Sequence, residues 1–321
     1  MIFYKKDIVM KELKPIKLIP TFKDYIWGGN RLVNEYNKKC NFERVAESWE
    51  LSTHKDGESI VGDGSFKGLT LSEYVKNNEY NVLGRNAETF ENFPILIKFI
   101  DAKESLSIQV HPDDEYSLKN NGEYGKTEMW YILDCDEDSY LYYGFNEEIS
   151  KEEFRRSIEE NTLLNYLNKV KVNKGDVFFI KAGTVHAIGK GIVICEVQQN
   201  SNTTYRVYDY DRTDKDGNKR PLHIEQAIAV AETKPAKNYK RVGNILAECE
   251  YFTVEELVVD GMTEIKVTDN SFISLIVIDG QGNLLEDGHV TQFAKGDSIF
   301  IPAQNNVFKV QGQCRLIMTY L

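Results

Sequence analysis

Three short segments of the sequence concentrate side chains that can bind a metal ion. They cover residues 107–114, 125–130 and 183–187. Their ligand-type side chains are Gln109, His111, Glu128 and His186. Two imidazoles and one carboxylate are a common protein contribution to a catalytic zinc site, and Gln109 offers a neutral fourth ligand. The same donor set also binds non-haem iron(II), so these residues predict a metal site and leave the identity of the metal open.

Period-two alternation in a β-strand would bring these side chains to one interior. Gln109 and His111 are two residues apart in an apolar run, which places both on one strand face and the intervening isoleucine and valine on the other. Two further strands would supply Glu128 and His186, and Gly183 allows the tight turn that directs His186 inward. Taken alone, either histidine is more often an ordinary core or rim residue. The combination favours metal binding.

The elements that must position these residues are mainly β-strands. Short apolar runs bounded by Gly, Asp and Asn predict strands at 93–100, 106–110, 129–133, 140–143, 177–180, 192–197, 272–278, 298–301 and 314–320. A capping box of Ser150 and Glu153 predicts a helix that leads into a leucine stripe at 163–167. Further short helices are predicted at 114–120 and 223–232. A mostly antiparallel β fold with helical insertions follows.

One internal repeat relates two parts of the chain. Residues 174–182, Lys-Gly-Asp-Val-Phe-Phe-Ile-Lys-Ala, match residues 295–303, Lys-Gly-Asp-Ser-Ile-Phe-Ile-Pro-Ala, at an offset of 121. The same offset places Val307 opposite His186, so the second copy keeps the strand and lacks the histidine. This pattern predicts a duplicated barrel with one active half, although chance similarity of two turn-and-strand units is the alternative.

The stretch from 232 to 238 is polar and contains a proline, which is typical of a domain boundary. We therefore expect a catalytic, metal-binding domain at 12–235 and a C-terminal domain at 236–321. The second domain would be a degenerate β-barrel without metal ligands.

Composition excludes several classes of partner. The 39 Lys and Arg residues and 50 Asp and Glu residues give a net charge of −11, which disfavours binding to nucleic acid or anionic membranes. Five cysteines without a Cys-x-x-Cys pair argue against a disulfide framework and favour a reducing, cytoplasmic setting. Neither the first ten residues nor any later run is apolar enough for export or membrane insertion. An anionic substrate would need a local group of cations.

Longer motifs resemble those of a known family. The segment from Gly175 to His186 resembles the second cupin motif, with Lys181 where proline is usual. Five segments are similar to the short bacterial form of the type I mannose-6-phosphate isomerase family, a branch of the cupin superfamily. They are residues 25–32, 47–52, 106–114, 125–131 and 204–212.

The resemblance implies a fold, a reaction and a cofactor. The implied fold is mainly β, with duplicated cupin (jelly-roll) barrels and short helical insertions. The implied reaction is the interconversion of mannose 6-phosphate and fructose 6-phosphate through a cis-enediolate, with one Zn²⁺ per chain. The partner would be a small sugar phosphate, and the chain would be a monomer or weak homodimer. Two alternatives stay open at this point: a cupin-type iron oxygenase, and a non-catalytic sugar-phosphate-binding cupin.

The resemblance also assigns roles to residues. His111, Glu128 and His186 match zinc ligands, and Gln109 matches a ligand that longer members add. Arg206 matches an active-site arginine, and Ser107 and Lys126 match residues that line the sugar-phosphate pocket. Glu196 lies where the family keeps a carboxylate near the metal, and either proton transfer or a structural role is open to it. Lys98 and Arg212 are further candidate cations, for which a surface or structural ion pair is an equal alternative.

Overall fold

A computed structural model describes residues 13–213, 216–237 and 239–321. The interpretation of the first ten residues as free of an export signal lies outside the described residues. Among the residues described, no helix is long and apolar enough to cross a membrane.

The described residues form strands joined by a few short helices. The strands are β1 (Ile16–Ile19), β2 (Thr21–Lys23), β3 (Glu47–Leu51), β4 (Ile60–Val61), β5 (Ile95–Ala102), β6 (Ile108–Val110), β7 (Glu128–Cys135), β8 (Tyr140–Phe145), β9 (Leu167–Lys171), β10 (Val177–Ile180), β11 (His186–Ala187), β12 (Ile192–Gln199), β13 (Tyr205–Tyr208), β14 (Ile245–Glu248), β15 (Thr253–Val267), β16 (Ile273–Glu286), β17 (His289–Ala294), β18 (Ser298–Ile301) and β19 (Asn306–Tyr320). The α-helices are α1 (Arg31–Glu35), α2 (Leu71–Asn77), α3 (Asp114–Asn120), α4 (Lys151–Glu159) and α5 (Ile224–Val230). Single 3₁₀ turns cover Gly64–Phe66, Asn81–Leu83, Arg85–Thr89 and Leu163–Asn165.

The strands form three antiparallel sheets. The strand orders are β14-β15-β19-β16-β18-β1-β4 with β17 beside β16, then β10-β7-β12-β5-β3-β2, and finally β13-β6-β11-β8-β9. Each order ends at two edge strands, so the sheets are open layers rather than closed cylinders. The mainly β, cupin-type class with short helical insertions is confirmed.

The six-stranded sheet is the middle layer of the molecule. Along β7, Met129 and Tyr131 join the apolar core shared with the eight-stranded sheet. Trp130 and Ile132, which alternate with them, join a second core against the five-stranded sheet. Because both faces are covered, β5 and β12 are buried along their entire length and read as nearly continuous apolar runs.

The two copies of the repeat form matching strands. β10 and β18 each have four residues and begin at the same point of the repeat. Before each strand a glycine has positive φ, +90° at Gly175 and +93° at Gly296, as a turn into a strand requires. β18 also pairs with β1, so the N-terminal strand belongs to the sheet of the C-terminal part. The division of the chain near residue 235 stays a prediction.

One predicted helix ends earlier than its leucine stripe suggested. The capping box is present, because the Ser150 hydroxyl accepts from Glu153 N while the Glu153 carboxylate accepts from Ser150 N. However, α4 ends at Glu159, and Asn161 adopts the left-handed conformation, with φ of +58°. The leucines that follow lie in a 3₁₀ turn and in β9, so their spacing reflects two elements rather than one helix face.

Candidate metal centre and active site

The predicted convergence of two histidines and one glutamate is present. One potential ligand atom from each of His111, Glu128 and His186 lies within 4.8 Å of the others. His186 Nε2 is 3.2 Å from Glu128 Oε1, and His111 Nε2 is 3.7 Å from Glu128 Oε2. All three side chains are buried. The arrangement is compact enough for one ion to contact all three.

Two facing sheets supply these residues. In the five-stranded sheet, Gln109 of β6 pairs with His186 of β11 on one side and with Arg206 of β13 on the other. Directly paired residues project from the same sheet face, so these three side chains form one row. Glu128 comes from the opposite sheet, as the first residue of β7. Gly183, with φ of +87°, forms the turn before His186, and its N–H donates to His111 O at 2.8 Å.

Backbone carbonyls fix both imidazole rings. His186 Nδ1 donates to Thr184 O, and His111 Nδ1 donates to Thr203 O, each at 2.8 Å. A carbonyl can only accept, so the proton of each neutral ring is on Nδ1 and the lone pair of Nε2 faces the cluster. The edge of Trp130 packs against His186, with ring centroids 5.3 Å apart.

The residues fit a metal ion on two observations of this site. His111 Nε2 and Glu128 Oε1 are buried without a hydrogen-bond partner among the described residues, an arrangement that costs free energy unless something else binds them. Burial also lowers the pKa of His186 to about 4 and that of His111 well below its usual value, the latter with help from Lys126. Both rings are therefore neutral near pH 7, as metal ligation requires.

Lysine and glutamate side chains form an alternating buried chain that ends at the candidate ligand Glu128. In order, it consists of Glu47, Lys98, Glu196, Lys126 and Glu128. The successive N–O distances are 3.7, 3.4, 3.8 and 2.9 Å. Each residue is 7% exposed or less. When Glu128 is ionised, as it would be beside a bound cation, two positive and three negative charges give the chain a net charge of −1.

The two carboxylates nearest Lys126 differ in electrostatic setting. Burial raises the pKa of Glu128 to about 8 despite the attraction of Lys126. Burial also acts on Glu196, but Lys126 and Lys98 together outweigh it and lower its pKa to about 2. Trp130 Nε1 donates to Glu196 Oε2 at 2.9 Å. Glu196 is therefore ionised and a weak base. Its other oxygen, Oε1, lies 3.4 Å from Lys98 Nζ but has no hydrogen-bond partner among the described residues.

Arg206 lies at the edge of this region and is half-buried. Its Nε donates to Ser107 Oγ at 3.3 Å, and its Nη1 donates to Pro221 O at 2.9 Å. Burial, Arg220 and Arg212 all lower the pKa of Arg206. We call these three arginines the guanidinium cluster. Arg212 and Arg220 both bind the carboxylate of Asp209.

Of the two further candidate cations, Lys98 lies inside the site and Arg212 lies at the guanidinium cluster. Sequence patterns assign no role to Glu47 or Trp49, although both lie against Lys98 in the structure. Trp49 Nε1 donates to Glu47 Oε2 at 2.7 Å, and the Trp49 ring lies under the Lys98 ammonium at 5.0 Å. Both residues stand in segment 47–52, but no local spacing rule relates that segment to β5.

Comparison with known proteins agrees with this geometry. Residues 16–144 match the model of the phosphomannose isomerase type I catalytic domain, and residues 243–321 match that of the mannose-6-phosphate isomerase cupin domain. The chain is 39% identical to mannose-6-phosphate isomerase ManA of Bacillus subtilis, covering 96% of this chain and 99% of the relative. It is 38% identical to mannose-6-phosphate isomerase of Streptococcus mutans, covering 96% and 98%.

Among solved structures, the crystal structure of mannose 6-phosphate isomerase from Bacillus subtilis superposes with a TM-score of 0.87 at 37% identity. The superposition covers 96% of this chain and 99% of that one. The match extends through both the layer that carries the histidine cluster and the C-terminal layer. The chain therefore belongs to the type I mannose-6-phosphate isomerase family and is an isomerase of this class.

Proposed function

We propose that the protein is a zinc-dependent aldose-ketose isomerase that interconverts D-mannose 6-phosphate and D-fructose 6-phosphate through a cis-enediolate. Family membership supports the reaction. The observation that carries the zinc requirement is the buried cluster of His111, Glu128 and His186, whose potential ligand atoms lie within 4.8 Å of one another. Of these atoms, His111 Nε2 and Glu128 Oε1 have no hydrogen-bond partner among the described residues. Lys126 stands beside this cluster, with its ammonium 2.9 Å from Glu128.

His111, Glu128 and His186 would hold one zinc ion per chain. Gln109 Nε2 is 3.3 Å from His186 Nε2, and rotation of the amide by half a turn would direct its oxygen to the same place. Gln109 can therefore serve as a fourth ligand. When bound, zinc supplies Lewis-acid stabilisation to the oxygen atoms of the open-chain sugar.

The chain's own residues supply the remaining electrostatics. Moving a proton between C2 and C1 of the sugar develops negative charge on O1 and O2, which needs positioned cations. We assign this role to Lys126 and Arg206, and the guanidinium of Arg206 presents the planar fork that a lysine lacks. Ser107 orients Arg206 through its hydroxyl. With a pKa of about 2, Glu196 is a weak proton acceptor, so we assign it to holding Lys98 and Lys126 in place.

The guanidinium cluster fits the phosphate group of the substrate. Arg212 and Arg220 both bind the single carboxylate of Asp209, and the positive charge of Arg206, which is assigned above to the sugar oxygens, acts on the same region. This local excess of two positive charges opposes the net charge of −11 of the whole chain. A phosphate dianion would balance it, since guanidinium groups bind phosphate oxygens in a bidentate fashion.

The comparisons favour the isomerase over the two alternatives that the donor set left open. An iron oxygenase and a non-catalytic sugar-phosphate-binding cupin both share the ligand pattern, but the relatives named above are isomerases. We also propose a cytoplasmic location, because the five cysteines are all free. A monomeric or weakly dimeric state stays a prediction.

Metal content measured together with turnover tests the proposal. Purified protein should contain one zinc per chain and convert mannose 6-phosphate in an assay coupled to fructose 6-phosphate. Removal of the metal by a chelator should abolish turnover, and added Zn²⁺ should restore it. Full turnover in the metal-free protein, or substrate-linked oxygen consumption by an iron-loaded form, would contradict the proposal.

A further inference from the structure

The two histidines of the candidate metal centre are oriented by different parts of the chain. His186 Nδ1 donates to Thr184 O, which is only two residues before it. His111 Nδ1 donates to Thr203 O, 92 residues away in the sequence. The orientation of His111 therefore depends on a segment that does not belong to its own strand or turn.

That segment is the connection between β12 and β13, which contains neither helix nor strand. Side chains fix its first part: Gln198 Nε2 donates to Gln199 O at 2.7 Å and to Ser201 O at 2.6 Å. Asn200 N donates to Pro94 O at 2.8 Å. Thr203 N donates to Ser201 Oγ at 3.3 Å, but no ladder of backbone hydrogen bonds continues to Thr203, so side chains must fix the position of its carbonyl.

A half-buried glutamate and a buried histidine fix Thr203. Thr203 Oγ1 donates a hydrogen bond to Glu123 Oε1. The other carboxylate oxygen, Oε2, is 3.2 Å from His54 Nε2. Asp56 N donates to His54 Nδ1 at 3.1 Å, so the ring proton is on Nε2 and is donated to Glu123. His54 is 6% exposed, and its ring edge packs against Trp49 with centroids 5.7 Å apart.

Glu123 has a lowered pKa and is therefore ionised, which suits a carboxylate that accepts two hydrogen bonds. The bond from His54, with that from Thr203, lowers the pKa of Glu123 against the opposing effect of partial burial. An ionised carboxylate accepts more strongly than a neutral group, and Glu123 does so here without touching any of the three candidate ligands.

We propose that Glu123 and His54 are positioning residues of the metal centre, which hold Thr203 so that its carbonyl oxygen orients the His111 imidazole. This inference rests on the proposed metal-dependent function. Removal of a hydrogen-bond partner that orients a metal-binding histidine typically weakens metal affinity by roughly 10-fold to 100-fold. Loss of the Glu123 contact should have an effect near the lower limit, because the Thr203 carbonyl itself remains.

The test is a measurement of zinc affinity in variants of the full chain, by competition with a chromophoric chelator. Thr203→Val keeps the carbonyl and the side-chain shape but removes the hydroxyl, and we expect roughly tenfold weaker zinc binding. Thr203→Ser restores the hydroxyl and should bind zinc like the wild type. Glu123→Gln should weaken binding in the same direction, and the double variant with Thr203→Val should show non-additive losses. The visible absorption of the Co²⁺-loaded protein should change in the weakened variants.

Asn202→Ala is a matched control from the same segment. Asn202 Nδ2 donates to the side chain of Asp56, at 2.8 Å from Oδ2, whereas the hydrogen bond that orients His54 comes from the backbone N–H of Asp56, which this substitution leaves in place. Zinc affinity in this variant should equal that of the wild type, and an equal loss in Asn202→Ala and Thr203→Val would overturn the inference. Unchanged affinity and an unchanged cobalt spectrum in both Thr203→Val and Glu123→Gln would also overturn it. If the wild type binds no zinc, the proposed function itself fails, and the two failures are thereby distinguished.

Discussion

Replacement of Glu196 by glutamine tests the buried charge chain most directly. The variant keeps the shape of the side chain but removes the central negative charge, which lies 3.4 Å from Lys98 and 3.8 Å from Lys126. Removing one partner of a buried ion pair typically costs about 3–5 kcal/mol of stability. Lys98 keeps Glu47 at 3.7 Å and Lys126 keeps Glu128 at 2.9 Å, so we expect a loss near the lower limit, about 3 kcal/mol.

Urea unfolding measured on wild type and variant at the same pH gives this difference. A second variant, Lys98→Met with Glu196→Gln, removes a cation together with the anion. Adding Glu47→Gln, which removes the carboxylate that would otherwise lose its partner Lys98, should recover part of the lost stability, because replacing a complete buried ion-paired group is far less costly than leaving one charge unpaired. A free energy of unfolding for Glu196→Gln equal to that of the wild type would refute the buried, ion-paired setting described above.

The same variant separates two roles of Glu196 in turnover. If Glu196 positions Lys126, kcat should fall by roughly tenfold with zinc content unchanged. A general base contributes roughly 10²-fold to 10⁴-fold to the rate. A fall in kcat at or above the upper part of that range, in a folded and zinc-loaded variant, would make Glu196 the proton acceptor. We expect the smaller effect, since a carboxylate with a pKa of about 2 has little affinity for the proton.

Two other substitutions test the assignments around the metal. His186→Ala should lose zinc and nearly all activity. Circular dichroism should still show a folded β protein, because large apolar cores rather than a metal hold the sheets together. Wholesale unfolding would contradict this expectation. Arg206→Ala should keep its zinc, measured by elemental analysis, but lower kcat by roughly a hundredfold, as the loss of one group that stabilises transition-state charge does. An effect confined to KM would limit Arg206 to substrate binding.

Local rules in the sequence were sufficient for part of the site. Alternation along β6 correctly placed Gln109 on the site face, with Ile108 and Val110 in an apolar cluster behind the sheet. The turn glycine at 183 and the strand that begins at residue 177 were also correct in position. Each of these features depends on residues within about one turn or one strand, which is the range over which backbone geometry constrains side chains.

Pairing between distant strands could not be predicted in this way. Glu47, Lys98 and Glu196 come from three strands separated by tens of residues, and their contact depends on the registers of β3 with β5 and of β5 with β12. A shift of one residue in either register would turn the side chains to the opposite sheet face. The role of Thr203 could not be predicted either, because the contact with His111 is made by a backbone carbonyl, which every residue type has. Packing on both faces of the middle sheet sets these registers, and no single segment of the sequence determines that packing.

The second copy of the repeat contributes support for the site rather than chemistry. Val307, which corresponds to His186, is 46% exposed, so a histidine there would lie at the surface. The C-terminal layer instead covers the outer face of β7, where the Tyr131 hydroxyl donates to Glu256 at 2.9 Å and Phe300 belongs to the shared core. Glu128 is on this same strand and faces the opposite way, so packing against the C-terminal layer fixes the strand that presents it. Both halves need the turn-and-strand residues of the repeat because both are packed layers, whereas only the half that encloses the cluster needs the histidine.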